Sequence, residues 1–126
     1  MKKEIIATEN APKAIGPYSQ GTKSGGFVFV SGQLPVNPTT GEFPLGGIEE
    51  QAQQSLKNVK AVLEAGGSCL ENVLKTTVFL QDIKDFAAFN AVYAEFFKID
   101  CPARSCIQIA ALPKNALVEV EAIAVV

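Results

Sequence analysis

The chain of 126 residues contains no histidine, no tryptophan and only three cysteines. Without histidine there is no Ser-His-Asp or Cys-His catalytic group, no histidine metal ligand and no imidazole acid–base catalyst. The cysteines, Cys69, Cys101 and Cys106, lack CxxC spacing, so we expect reduced thiols, no disulfide framework and no metal site. The remaining candidates for chemistry are carboxylates, hydroxyls, a thiol, backbone groups and arginine.

Positive charge and long apolar runs are also scarce. The net charge is −2 and the isoelectric point is about 5.1, whereas phosphate binding needs clustered lysine and arginine. The apolar stretch after Lys2 and Lys3 is too short for a signal peptide, and no run approaches the roughly 20 apolar residues of a membrane span. We therefore expect a cytoplasmic protein without nucleic-acid or membrane partners, folded as one domain over residues 1–126.

The hydrophobic pattern predicts the order β-β-β-α-β-α-β-β, which is an α+β fold with one sheet and two helices. The predicted elements are a strand at 4–7, a hairpin of 18–23 and 27–31, a helix at 48–65, a strand at 72–81, a helix at 85–98, and strands at 103–111 and 117–126. Two helices cover only one face of a sheet, yet 73–80 and 117–126 read as apolar on both faces. We therefore expect a closed homo-oligomer packed sheet to sheet.

Arg104 is the only arginine among eleven basic residues, and its neighbours are small, apolar or uncharged. A guanidinium is a planar, permanently charged fork that grips a carboxylate or phosphate through two parallel hydrogen bonds. The first interpretation is an anion-binding residue in a pocket, and the alternative is a residue that pairs with a structural carboxylate or caps a helix. Strand alternation places Arg104 on one face with Cys106 and Gln108.

Glu119 and Glu121 share one face of the otherwise apolar last strand. Burial raises the pKa of a carboxyl group toward values useful for acid–base chemistry, although both residues could also line a solvated edge. If the last two strands formed a simple hairpin, Glu119 would lie about 13 Å along the sheet from Arg104. Either these strands are not neighbours, or the two groups meet across a subunit boundary.

Other candidate residues have two interpretations each. Tyr18 either closes a pocket with its hydroxyl or packs in the core, and Ser31-Gly32 either offers backbone N–H groups or is a turn that ends a strand. Asn90 either caps a loop or is a positioned polar group. Cys106 either carries a stabilised thiolate or fills space as a small residue.

Five segments, in chain order, carry a resemblance to a known family. They are Ile15–Gln20, Val30–Pro35, Phe89–Tyr93, Pro102–Cys106 and Val118–Ala124. They are similar to the RidA (YjgF) family of enamine/imine deaminases, and the similarity runs from near residue 4 to the C-terminus. The resemblance implies a chorismate-mutase-like (YjgF-like) α+β subunit with one mixed sheet and two helices on one face. It also implies a homotrimer with inter-subunit clefts and a last strand inserted between other strands.

The resemblance also implies a reaction and a set of site residues. Arg104 would bind the substrate carboxylate, Glu119 would position or activate a water, and the cleft would be lined by Tyr18, Ser31, Gly32, Asn90 and Cys106. The expected activity is that of a 2-iminobutanoate/2-iminopropanoate deaminase, which hydrolyses 2-aminoacrylate-type enamines and imines to 2-oxo acids and ammonia without metal or organic cofactor. Two alternatives stay open: a non-catalytic trimer that senses 2-oxo acids, and an RNA-directed role such as translation inhibition.

Overall fold

The structure, a computed structural model that describes residues 1–126, contains the predicted order of strands and helices. The strands are β1 (Glu4–Ile6), β2 (Gly21–Ser24), β3 (Phe27–Gln33), β4 (Val73–Leu80), β5 (Ala103–Gln108) and β6 (Val118–Val125). The helices are α1 (Ile48–Ala65) and α2 (Phe86–Phe96). Neither helix is long and apolar enough to cross a membrane.

All six strands form one mixed sheet in the order β1-β2-β3-β6-β4-β5. The pair β4–β5 is parallel, and every other neighbouring pair is antiparallel. The last strand β6 therefore lies between β3 and β4 and does not pair with β5. The simple hairpin is excluded, and the inserted last strand that the family resemblance implied is confirmed.

Helix α1 forms where apolar residues recur at helical spacing, and that stripe is buried. Ala52, Leu56 and Val59 have no exposed surface. At the start of the helix the Glu50 carboxylate accepts a hydrogen bond of 2.9 Å from the Gly47 N–H. This bond satisfies a backbone donor next to the positive end of the helix dipole.

Helix α2 has an aromatic face that belongs to the core. Phe89, Tyr93 and Phe97 are at most 7 % exposed, and the Tyr93 ring makes tilted contacts with the rings of Phe89 and Phe97. Asp85 lies at the N-cap position, but its side chain makes no capping hydrogen bond. The Asp82 carboxylate instead caps the preceding 3-10 turn by accepting from the Lys84 N–H.

One face of the sheet is buried beneath the helices and the other is open in the single chain. On β6, Val118, Val120 and Ala122 are at most 2 % exposed and join a 21-residue core with α1 and α2. On the open face, Phe29 of β3 is 45 % exposed. The chain thus leaves a partly apolar sheet face without a covering layer, as the strand pattern predicted.

Three strand boundaries differ from the prediction by two residues or more. Strand β2 begins at Gly21, because the Gln20 side chain, 5 % exposed, turns inward to hold the preceding loop. Its amide accepts a hydrogen bond from the Thr8 N–H and donates to the Pro12 carbonyl, each 2.7 Å long. Strand β3 continues past Ser31, and β5 ends at residue 108.

The candidate active site lies in two halves

The first half of the site is built around Arg104 on β5. Arg104 pairs with Thr76 of β4, and Thr76 is fully buried beneath α2, so both side chains point to the helix-covered face. The Arg104 Nη1 donates a hydrogen bond of 2.8 Å to Asn90 Oδ1 on α2. This partner is an uncharged amide, so it leaves the guanidinium charge available to an anion, in contrast to pairing with a structural carboxylate.

Aromatic rings flank the guanidinium of Arg104. Its Cζ lies 4.7 Å from the centroid of the Tyr93 ring and 5.5 Å from that of Phe86. Both distances fall within the range of a cation–π interaction. The Tyr93 hydroxyl is hydrogen-bonded to the Thr76 hydroxyl at 2.7 Å, and burial is the main cause that raises the pKa of Tyr93.

Cys106 lies two residues beyond Arg104 on the same face of β5 and packs against the core. Burial raises the pKa of the Cys106 thiol, and the nearby Arg104 charge acts in the opposite direction with a smaller effect. A raised thiol pKa means that the neutral form predominates at neutral pH. These surroundings favour the interpretation of Cys106 as a neutral lining residue over a stabilised thiolate.

The second half of the site is built around Glu119 on β6. Glu119 points away from its buried neighbours Val118 and Val120 and therefore toward the open face. Its carboxylate lies against Gly32: a Cβ added at Gly32 would sit 2.5 Å from Glu119 Oε2. Burial, and to a lesser extent the negative charge of Glu121, raises the pKa of Glu119.

Ser31 and Gly32 lie in a β-bulge, where the β3–β6 register shifts between Val30 and Gln33. The interpretation of Ser31-Gly32 as a strand-ending turn is therefore wrong. The Ser31 hydroxyl donates a hydrogen bond of 2.6 Å to the Ser19 carbonyl, so toward any ligand it is left with acceptor lone pairs. Bulges commonly re-aim side chains next to functional sites.

Tyr18 lies in the loop before β2 and is half exposed, in contrast to a packed core tyrosine. Its hydroxyl accepts a long hydrogen bond of 3.4 Å from the Ile15 N–H. Together with Gly32, Tyr18 lines a groove of about 500 Å³ between the loops. Tyr18 and Gly32 thus line the same groove, and Glu119 lies next to Gly32.

The structure brings the sequence-predicted residues into two groups. Arg104, Asn90 and Cys106 form an arginine half, and Glu119, Gly32, Ser31 and Tyr18 form a glutamate half. Neither half gathers three or more side chains arranged to hold a metal ion.

Sequence reasoning missed the residues that support these halves. Phe86, Asn90 and Tyr93 recur at i, i+4, i+7, and this spacing is a usable signal for a common stripe on α2. Gln20 and Thr76 had no such signal, because their partners lie on distant segments.

This combination defines a class: a small α+β subunit whose mixed sheet carries an arginine hydrogen-bonded to an uncharged amide on one face and a half-buried glutamate on the other. Residues 8–126 match a family model described as Endoribonuclease L-PSP, which covers nearly the whole chain. The chain belongs to this family, the RidA (YjgF) family.

Similar proteins match almost the full length of the chain. A 2-iminobutanoate/2-iminopropanoate deaminase of Escherichia coli is 54 % identical over 125 residues, 97 % of each chain. A RutC family protein of Pyrococcus horikoshii is 54 % identical over 122 residues, also 97 % of each chain. The crystal structure of E. coli TdcF with bound serine superposes with a TM-score of 0.94 at 50 % identity and covers 98 % of both chains.

Proposed function

We propose that the protein is a cofactor-independent hydrolase that converts enamines and imines of the 2-aminoacrylate type into 2-oxo acids and ammonia. The observation that supports the proposal is that the two halves supply two complementary groups, one that can bind an anion and one that can transfer protons. One half holds an arginine with an uncharged partner, and the other holds a half-buried glutamate with a raised pKa. The 54 % identity to an E. coli deaminase of this specificity supports the same activity.

In this reaction Arg104 binds the substrate carboxylate. Its guanidinium offers a bidentate grip that fixes the carboxylate, and with it the adjacent reactive carbon. Asn90 holds Nη1 and thereby sets the rotation of the guanidinium. The TdcF relative has bound serine, an amino acid with a carboxylate, which supports a small ligand that carries a carboxylate.

Glu119 carries the proton transfers. Protonation of the enamine at its terminal carbon gives the iminium form of the imine, water adds to the iminium carbon as Glu119 accepts a proton, and Glu119 returns that proton to the nitrogen of the carbinolamine. The C–N bond then breaks, ammonia leaves, and the hydroxyl group releases its proton to form the carbonyl of the 2-oxo acid. A glutamate with a pKa raised by burial exchanges protons closer to neutral pH than an exposed one.

The complete cleft requires two chains. Within one chain the arginine half and the glutamate half face opposite sides of the sheet, so a ligand touching both must sit between copies. In a closed ring each chain gives its arginine half to one neighbour and its glutamate half to the other. Three copies close into a trimer with three clefts, and the partly apolar open face of the sheet becomes buried.

The direct experiment generates the enamine in situ and follows ammonia and 2-oxo acid release with and without the protein. We expect release to be accelerated in proportion to protein concentration. Release at the uncatalysed rate, together with tight binding of a 2-oxo acid, would instead establish the sensing role. RNA cleavage by the purified protein would favour the RNA-directed role, against which the net charge of −2 and the single arginine count.

A further inference from the structure

The Arg104 side chain packs against α2. Of the two aromatic rings beside its guanidinium, Tyr93 is the closer. The guanidinium carbon lies 4.7 Å from the Tyr93 centroid, compared with 5.5 Å for Phe86. Phe86 is 38 % exposed, whereas Tyr93 is 7 % exposed. The buried Tyr93 ring therefore lies on the protein side of the guanidinium, and the more exposed Phe86 ring lies on its solvent side.

Tyr93 is itself held on three sides. Its hydroxyl is bonded to Thr76, which pairs with Arg104 across β4 and β5. Its ring contacts Phe89 at 5.5 Å and Phe97 at 4.7 Å between centroids. Because these contacts come from both the sheet and the helix, the ring has little freedom to rotate or shift.

We propose that Tyr93, tied to Thr76, is a positioning residue that holds the Arg104 guanidinium in one orientation before ligand binds. The effect of this positioning on catalysis rests on the function proposed above. The orientation of the guanidinium does not depend on that function. Asn90 fixes one nitrogen of the guanidinium and the Tyr93 ring fixes its plane. An arginine held at both points loses less conformational entropy when it binds a carboxylate.

The single arginine of the chain makes the orientation directly measurable. In a ¹⁵N-labelled sample the Arg104 Nε–Hε signal has no other arginine to overlap with. In the unliganded wild-type protein we expect an Nε–Hε order parameter close to the backbone value of about 0.85. In Tyr93→Leu we expect the signal to lose its ring-current shift and its order parameter to fall below about 0.6.

The matched control is Phe96→Leu, which removes an aromatic ring of the same helix that packs against the core but neither faces Arg104 nor pairs with the Tyr93 ring. Both substitutions remove an aromatic residue packed against the core, but only Tyr93→Leu should release the arginine. An Arg104 signal that is already mobile in the wild-type protein overturns the proposal. So does a signal that stays rigid in Tyr93→Leu. If Tyr93→Leu fails to fold, the wild-type measurement decides alone.

Calorimetry of ligand binding separates positioning from a general loss of structure. Tyr93→Leu should weaken binding of 2-oxobutanoate by about 3- to 30-fold, the range of a cation–π contact. Binding of the uncharged 2-oxobutanamide should not change. Equal weakening of both ligands would assign Tyr93 a purely structural role. If wild-type protein binds no 2-oxobutanoate, the proposed function fails while the Arg104 signal still tests the positioning.

Discussion

Arg104 and Glu119 lie on opposite faces of one sheet, separated by the whole of strand β4. Arg104 pairs with Thr76, and Thr76 pairs with Ala122, so Glu119 is two strands away and three residues further along. The displacement across the two strands and the displacement along them are each about 10 Å. Arg104 contacts α2, whereas Glu119 points to the open face next to Gly32. No side-chain rotation in one chain brings both groups to one small ligand.

The first prediction separates the geometry of Arg104 from its charge. Arg104→Lys keeps the positive charge but loses the planar fork and its stacking on aromatic rings. We expect kcat/KM for enamine hydrolysis to fall nearly as far in Arg104→Lys as in Arg104→Ala, by about 100-fold or more. Near wild-type kcat/KM in Arg104→Lys would refute the role of Arg104 as a bidentate carboxylate clamp.

The second prediction concerns the glutamate that moves protons. Glu119→Gln preserves size and hydrogen-bonding capacity but cannot accept a proton from water, so kcat should fall by about 100-fold or more. Binding of 2-oxobutanoate should be retained. Glu121→Gln is the matched control at neutral pH, because it lies on the same face two residues along. If Glu121→Gln is the damaged variant, the catalytic carboxylate has been assigned incorrectly.

The third prediction is a pH dependence that follows from the raised pKa of Glu119. The ionised form acts as base, so kcat/KM should fall as pH drops through that pKa, at a higher pH than for an ordinary glutamate. The charge of Glu121 contributes to the raised pKa. Glu121→Gln should therefore shift this acidic limb to lower pH. A limb that does not move, or moves to higher pH, contradicts the assignment of the limb to Glu119.

The fourth prediction uses the close approach of Gly32 to Glu119. In Gly32→Ala the new Cβ would lie 2.5 Å from Glu119 Oε2, so the carboxylate must swing away. We expect kcat/KM to fall by about 10-fold or more while the fold is retained, because small misplacements of catalytic groups cost large factors. The control is Gly47→Ala, where a Cβ meets nothing within 4 Å. Equal kinetics for the two variants would show that the Glu119 position is unimportant.

Helix α1 and the element order could be predicted from sequence because they depend on local periodicity. Apolar residues at helical spacing specify a buried stripe wherever the helix packs, and Ala52, Leu56 and Val59 are buried accordingly. The Ser24-Gly25-Gly26 turn was also predictable, since Gly25 and Gly26 have positive φ angles of 58° and 83°, which glycine adopts readily.

The relation between the two halves of the site could not be predicted from the residue pattern. Alternation shows which residues share a face within one strand, but it does not relate the faces of two strands until the sheet order is known. The apolar pattern alone left a β5–β6 hairpin open, and only the insertion of β6 between β3 and β4 places Arg104 and Glu119 on opposite sides. Likewise, the inward turn of Gln20 depends on a loop that its own segment does not specify.

The shared cleft is tested most directly by mixing two inactive variants, Arg104→Ala and Glu119→Gln. The two are unfolded together, refolded at equal amounts and assayed for enamine hydrolysis, with each variant refolded alone as a control. In randomly mixed trimers, a cleft built from two chains regains both groups in roughly a quarter of cases. We therefore expect the mixture to recover about a quarter of wild-type activity. A mixture as inactive as either variant alone would place both groups in one chain and contradict the two-chain site.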